Sequence, residues 1–253
     1  MVDIAAIAER LDQAMRVAAA TPQLSEPLSL EEAYAVQAAS LARRYARGET
    51  RVGIKMGFTS RAKMVQMGVD EMIWGRLTDA MLVEDGGTIA FGRYVHPRVE
   101  PEIAFVLKDA LPASVTPAAA LIAVGGIAPA LEIIDSRYKD FKFSVTDVVA
   151  DNSSSSSFVV GPWSDPSEDF SNLGMLLEID GETRQIGSSA AILGHPIRSL
   201  VAAARLAAAA GEPLKAGDIV MAGGATAAEA LSPGQHVRLT VQKIGRAEFT
   251  VGA

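Results

Sequence analysis

The chain has 253 residues, a formal net charge of −7 and no cysteine, and 49% of its residues are hydrophobic. That is enough apolar material for one large domain or two small ones, while the missing thiols exclude disulfides and thiolate metal sites. The acidic balance argues against a nucleic-acid backbone as partner but leaves room for a small anionic substrate at a locally positive site.

The opening Met-Val-Asp-Ile carries an early acid, unlike a secretory signal, and no apolar run approaches the about 20 residues a membrane helix needs. A cytoplasmic protein without membrane or nucleic-acid contacts is expected. Asp3 to Ala20 reads as a helix with Ile4, Ile7, Leu11, Met15 and Ala18 on one side, ended by Thr21-Pro22-Gln23. Ser29 with Glu32 three residues on is a capping box, opening a helix to about Arg47 that Gly48 stops. These helices form an N-terminal layer over residues 1–50 rather than a separate domain. Residues 51–253 are expected to form the β-rich core of the same single domain.

Arg51 to Phe58 alternates, with Val52, Ile54 and Met56 on one face and Gly53, Lys55 and Gly57 on the other. A lysine between glycines either points to solvent or faces a groove that a ligand or backbone can approach. Ser60 to Met67 reads as a short helix stopped by Gly68. Trp74 to Asp79 leads into a strand through Val83, Asp85-Gly86-Gly87 turns it, and Thr88 to Phe91 returns as a hairpin. Asp79 is by default a turn residue, and His96 before Pro97 a loop residue.

Val99 to Leu107 alternates with Val99, Ile103, Phe105 and Leu107 on one face and Glu100, Glu102, Ala104 and Val106 on the other. Pro101 has no N–H to give, so it marks an edge, a bulge or a strand start. Two carboxylates side by side among small apolar residues repel unless a cation lies between them. Thr116-Pro117 starts a helix that Gly125-Gly126 stops. The strand Ile127 to Ile134 then places Glu132 on a face with Ala128 and Ala130. A glutamate inside such a run is costly to bury unless paired or metal-bound. Three glutamates from two apolar strands make an oxygen-rich site suited to a hard divalent cation.

Asp135 to Lys142 is charge-dense and reads as a solvated loop, followed by a short helix over Val145 to Ala150. Asn152 and the five serines after it are either a linker or the wall of a polar pocket. Met175 to Ile179 and Thr183 to Ile186 form a hairpin around Asp180-Gly181, and Ile197 to Ala210 a helix ended by Gly211. Asp218 to Met221 is a strand. Gly223-Gly224-Ala225-Thr226 is a sharply bent loop offering backbone N–H groups, and His236 to Gln242 and Ala247 to Val251 close the chain as strands. The class is α+β with mixed or antiparallel sheets.

Glu100-Pro-Glu102 with Glu132 downstream resembles the metal triad of the fumarylacetoacetate hydrolase superfamily. Lys55-Met-Gly-Phe-Thr-Ser60, Trp74-Gly-Arg-Leu-Thr-Asp79, Leu131-Glu-Ile-Ile-Asp-Ser136, Asp151-Asn-Ser-Ser-Ser-Ser156 and Gly194-His-Pro196 resemble its hydratase/decarboxylase branch. The resemblance runs from the first helix to the last strand. It implies a mixed β-sandwich roll with Mg²⁺ or Mn²⁺ held by Glu100, Glu102 and Glu132. Lys55 and Asp79 would be catalytic, Asp79 positioning Lys55 or a water. The ion and burial would depress the Lys55 pKa.

The implied reaction is loss of CO₂ from 2-oxo-3-hexenedioate to give 2-oxopent-4-enoate in meta-cleavage degradation of aromatic compounds. Hydration of 2-oxopent-4-enoate is the alternative, and a non-catalytic partner subunit a third reading. The superfamily's hydrolytic Glu-His pair has no match in the N-terminal region. Asn152, Ser153 and Thr226 are substrate-binding candidates. The distal pocket should be polar but not strongly cationic, with Arg61, Arg76 and Arg137 as further candidates there. The resemblance also implies a homo-oligomer and a complex with the hydratase.

Overall fold

The computed structural model describes residues 2–24, 26–60, 64–65 and 71–253. Two helices open the chain, α1 (Ile4–Arg16) and α2 (Leu30–Ala46). Both start at side-chain caps: Asp3 accepts from Ala6 N, and Ser29 and Glu32 form the expected reciprocal capping box. α1 stops at Arg16, short of Ala20, because Ala18 turns left-handed (φ 50°) and Thr21 N donates to Arg137 O at 2.8 Å. Of the expected helix Ser60 to Met67, Met64 and Val65 are helical and Met64 N donates to Ser60 O at 2.9 Å; its other residues between 61 and 67, its stop at Gly68 and the candidate Arg61 fall outside the described residues. Among the described residues no helix is long and apolar enough to cross a membrane.

The larger sheet runs in the order β2 (Ile73–Thr78), β1 (Arg51–Gly57), β10 (Ile219–Met221), β5 (Arg98–Leu107), β6 (Val124–Ile134), β7 (Ser155–Val160) and β3 (Leu82–Val83), with β11 (Glu229–Ala230) also paired to β5. β2 and β3 lie at opposite edges, yet only the turn Asp79–Met81 joins them. A flat sheet of this width would separate its edges by about 29 Å at ~4.8 Å per strand, and three residues reach only about 10 Å. The sheet is therefore curled into a roll. Its inner face holds Leu77, Met81, Ala104, Ala130, Phe158 and Met221, all buried.

The outer face packs on a second sheet in the order β4 (Thr88–Ala90), β13 (Gly245–Gly252), β12 (His236–Val241), β8 (Gly174–Ile179) and β9 (Glu182–Ser188). Val99, Ile103, Phe105, Leu131 and Ile133 meet Leu177, Val237, Leu239 and Phe249 there. The alternation read from β5 and β6 thus has its two faces as expected. The β8–β9 hairpin turns on Asp180 (φ 55°) and Gly181 (φ 77°), both left-handed as a type I′ turn requires. The expected hairpin around Asp85-Gly86-Gly87 is not one. The turn forms, but β4 leaves to pair parallel with β13 while β3 pairs with β7.

Three further helices are α3 (Pro117–Ala123), α4 (Val145–Ala150) and α5 (Pro196–Ala209). Gly125 and Gly126 do not stop α3; they already belong to β6. Pro101 sits in the middle of a central strand rather than at an end. Its carbonyl accepts from Ala225 N at 2.9 Å, so its missing N–H faces the loop between β10 and β11, where the ladder is interrupted. The edge that proline demands is a local gap in one flank of the strand. The helical layer packs through Ala8, Leu11, Ala33 and Val36 onto Ile73 of β2 and onto Val148 and Val149 of α4.

Candidate metal centre

The register between β5 and β6 sets Glu100 opposite Glu132 and Glu102 opposite Ala130. All three carboxylates therefore project from neighbouring positions on the inner face of the roll. One oxygen from each lies within 4.8 Å of the others. Glu102 and Glu132 are fully buried, and Glu100 is half-buried. Oε1 of Glu102 and Oε1 of Glu132 have no hydrogen-bond partner. Buried carboxylate oxygens left unpaired are costly, and an all-oxygen donor set in one small volume suits a hard divalent ion. The residues present fit such an ion.

The interrupted flank beside Pro101 is where the Gly223–Thr226 loop crosses the carboxylates. Gly223 N donates to Glu102 Oε2 at 2.8 Å. Gly223 has φ +103°, and a β-carbon there would come within 2.2 Å of Thr59 Oγ1. At Gly224 a β-carbon would fall 2.7 Å from Glu100 Oε2. The two glycines let backbone lie against the carboxylates where any side chain would collide.

Lys55 joins the cluster from β1. Its Nζ lies 3.0 Å from Glu132 Oε2 and donates to Ser153 O at 3.0 Å, with the side chain 4% exposed. The lysine takes the groove between its flanking glycines, away from solvent. Burial works to depress its pKa, but Glu132, Glu102 and Glu100 together raise it above the ordinary lysine value. Here the charge of the three neighbouring carboxylates outweighs desolvation. Burial and then the charge of Glu132 push the Glu102 carboxyl well above its usual range. Burial also raises Glu132, against the opposing pull of Lys55.

The other candidates separate. Asp79 is exposed and does not reach the cluster; its carboxylate accepts from Thr50 N at 3.0 Å, Thr50 Oγ1 at 2.7 Å and Ala80 N at 2.9 Å. Those bonds hold its pKa below the ordinary value. Gly75 pairs with Lys55, so Asp79, four residues on and just past the end of β2, is about 13 Å away at ~3.3 Å per residue. Asn152 and Ser153 do sit beside Lys55, in a buried turn rather than a linker. Both ends of the Asn152 amide are spent on Arg76, accepting from its N at 2.8 Å and donating to its O at 2.9 Å. Ser153 Oγ donates to Trp74 O at 2.8 Å. Thr226 lies two residues past Gly224 on the crossing loop and donates to Ala227 O at 3.0 Å.

Arg76 is bound to Glu212 and Gln37, and Arg137 to Asp151 and Ser156, so neither guanidinium is free for a distal carboxylate. Sequence reasoning missed Thr59, buried at 2% exposure beneath Gly223, and missed Gly75. The di-glycine was the available signal for the first. The glycine inside Trp74-Gly-Arg was the signal for the second.

Residues 51–252 match the family described as fumarylacetoacetate hydrolase C-terminal. A 4-oxalocrotonate decarboxylase of Pseudomonas sp is 57% identical over 249 residues, spanning 98% of this chain and 97% of its own. A 2-keto-4-pentenoate hydratase of Paraburkholderia xenovorans is 38% identical over 227 residues, spanning 88% and 84%. The solved structure of 4-oxalocrotonate decarboxylase from Pseudomonas putida G7, complexed with magnesium and adipate, matches with a TM-score of 0.94 at 37% identity, covering 98% of this chain and 97% of that one. With its curled sheet, its paired carboxylate strands and these relatives, the chain belongs to the fumarylacetoacetate hydrolase family.

Proposed function

We propose that the chain is a divalent-metal-dependent lyase that removes CO₂ from 2-oxo-3-hexenedioate to give 2-oxopent-4-enoate. The observation that carries the chemistry is the convergence of Glu100, Glu102 and Glu132 beside the buried Lys55 ammonium. The 57% identity to a 4-oxalocrotonate decarboxylase supports the choice of substrate. A Mg²⁺ or Mn²⁺ ion on the three carboxylates would supply a fixed positive charge toward which electrons of a 2-oxo acid can flow.

In the reaction the bond between the chain carbon and the distal carboxylate breaks. Its electron pair passes along the conjugated carbons to the 2-oxo oxygen, and a proton added at carbon 3 completes the product. Lys55 donates a hydrogen bond to the oxygen where charge grows or delivers that proton. Glu132, 3.0 Å away, favours the protonated form of this amine. A cation gripping the departing carboxylate would stabilise the substrate and slow its loss. The commitment of Arg76 and Arg137 to Glu212 and Asp151 is consistent with a distal pocket that is polar without being cationic. Ser153 and Thr226 remain its candidate polar groups. Asp79 touches this scheme only indirectly, by holding the backbone and hydroxyl of Thr50 just before β1.

The test supplies purified chain with Mg²⁺ and 2-oxo-3-hexenedioate. CO₂ release that EDTA stops is the expected result. Consumption of 2-oxopent-4-enoate without CO₂ would instead make the chain a hydratase, like the relative at 38% identity. A chain that binds no divalent ion and turns over neither compound would be a non-catalytic partner. A single catalytic domain, self-association, a complex with the hydratase and a cytoplasmic setting belong to the same reading. Light scattering of the chain alone and mixed with hydratase measures the two assemblies.

A further inference from the structure

Asn152, Ser153 and Ser154 all have positive φ, at 51°, 52° and 59°. Three consecutive non-glycine residues in the left-handed region make a strained turn, which persists only where the surroundings hold it. Four sets of contacts hold this one. The Asn152 amide pairs with the backbone of Arg76 like an added strand residue, at 2.8 and 2.9 Å. Ser153 Oγ reaches Trp74 O at 2.8 Å. Behind the turn, buried Arg137 donates to Asp151 Oδ1 at 2.5 Å and to Asp151 O at 2.6 Å. Asp135 N donates to Ser154 O at 2.8 Å.

Between Trp74 and Arg76 lies Gly75, the cross-strand partner of Lys55. A β-carbon at Gly75 would come within 2.5 Å of Asn152 O, so the turn can settle on β2 only over a glycine. What the turn presents to the site is the Ser153 carbonyl, 3.0 Å from Lys55 Nζ. The amine is thus held between that carbonyl and Glu132.

We propose that the left-handed turn 152–154 is a clamp that aims the Lys55 amine, with Gly75, Asn152, Ser154 and the Arg137–Asp151 pair as positioning residues for the reaction. This rests on the reading of Lys55 as the catalytic amine. Strain is then stored beside the reacting group rather than on it, and the serine-rich stretch supplies short polar residues that tolerate the conformation. The metal ligands come from β5 and β6, not from the turn itself.

The test compares Ser154→Val, which resists positive φ, with Ser154→Gly, which adopts it freely, and adds Gly75→Ala as an independent displacement of the turn. Ser154→Val and Gly75→Ala should each lower kcat about 100-fold, the effect of a misplacement near 1 Å, with KM changed less than about threefold. Ser154→Gly should keep kcat within about fivefold. Mn²⁺ titration should give a dissociation constant no weaker than about threefold in all three, which also certifies the fold. Lys55 labelling by an amine-reactive reagent, read by mass spectrometry in metal-free protein, should speed up at least tenfold in the Val and Ala variants only. Full kcat in Ser154→Val or Gly75→Ala, or an equal loss in Ser154→Gly, overturns the clamp. Lys55→Met separates the two claims. If it is inactive while the turn variants are normal, only the clamp fails; if it is fully active, the catalytic reading of Lys55 fails.

Discussion

Glu102 has to serve two opposing demands. It must be ionised to hold a cation, yet it is fully buried with Oε1 unpartnered. Burial pushes the Glu102 and Glu132 carboxyls up, so without an ion their charged forms are disfavoured. Glu102→Gln should therefore move two properties in opposite directions. It keeps an acceptor for Gly223 N but loses the charge, so Mg²⁺ affinity should fall about 100-fold. Metal-free stability should rise by about 1–3 kcal/mol, because no buried charge remains to be unpaired. Mg²⁺ titration and urea unfolding in EDTA read the two. The pH dependence has a definite sign. Carboxyls raised in the folded state bind more protons than the unfolded chain does above the ordinary glutamate value. Metal-free stability is thus full below that value and declines as pH climbs through the raised one. Saturating Mg²⁺ should flatten the slope, and unfolding curves taken upward from the ordinary glutamate value with and without the ion decide it. Single side chains were only partly legible in the sequence. Lys55 between glycines signalled a groove, but the fate of Asp79 depended on Thr50, 29 positions away just before a neighbouring strand.

At the scale of elements, period-two alternation carried the metal centre. It placed Glu100, Glu102 and Glu132 on one side of two strands, and the antiparallel register then made them neighbours. Alternation says nothing about which strands pair, which is why Thr88–Ala90 was misjudged as the return of a hairpin when it belongs to the other sheet. It is equally silent about Pro101, whose tolerance in mid-strand comes from the gap between β10 and β11. That gap makes the Gly223–Thr226 loop part of the site, and Gly224 is its most exacting position. Gly224→Ala introduces no conflict with φ, so its effect is steric: the new methyl falls 2.7 Å from Glu100 Oε2. The carboxylate must swing aside. Mg²⁺ should bind about tenfold more weakly, while kcat at saturating metal stays within a few-fold. A kinetic titration of the metal at fixed substrate separates the two. Unchanged metal affinity would mean that Glu100 is not held where the loop packs.

The whole molecule explains why two helices at the start of the chain matter to a site built from later strands. Their existence was readable from periodicity and from the Ser29–Glu32 box, but their task was not, because it rests on contacts more than 30 positions apart. Gln37 of α2 is fully buried and donates to Trp74 O at 3.2 Å and to Val149 O at 2.8 Å. It also accepts from Arg76 Nη1 at 2.6 Å. Tyr34 stacks on Trp74 at 5.6 Å between ring centroids. Helix, edge strand and α4 are thereby tied at the residues on either side of Gly75, behind the face on which the 152–154 turn settles. Curling of the sheet is a second property of the whole, since it follows from β2 and β3 closing opposite edges through one short turn. A layer that braces β2 should transmit damage to the site without touching it. Gln37→Leu keeps the volume and strips three hydrogen bonds from buried partners, which should cost about 2–4 kcal/mol in urea unfolding. If the layer only covered apolar surface, that loss of stability would leave turnover per folded molecule unchanged. Because the layer braces β2, kcat should fall at least tenfold in protein still fully folded by circular dichroism, with the Mn²⁺ dissociation constant unmoved, since Glu100, Glu102 and Glu132 stand on strands the helices do not hold.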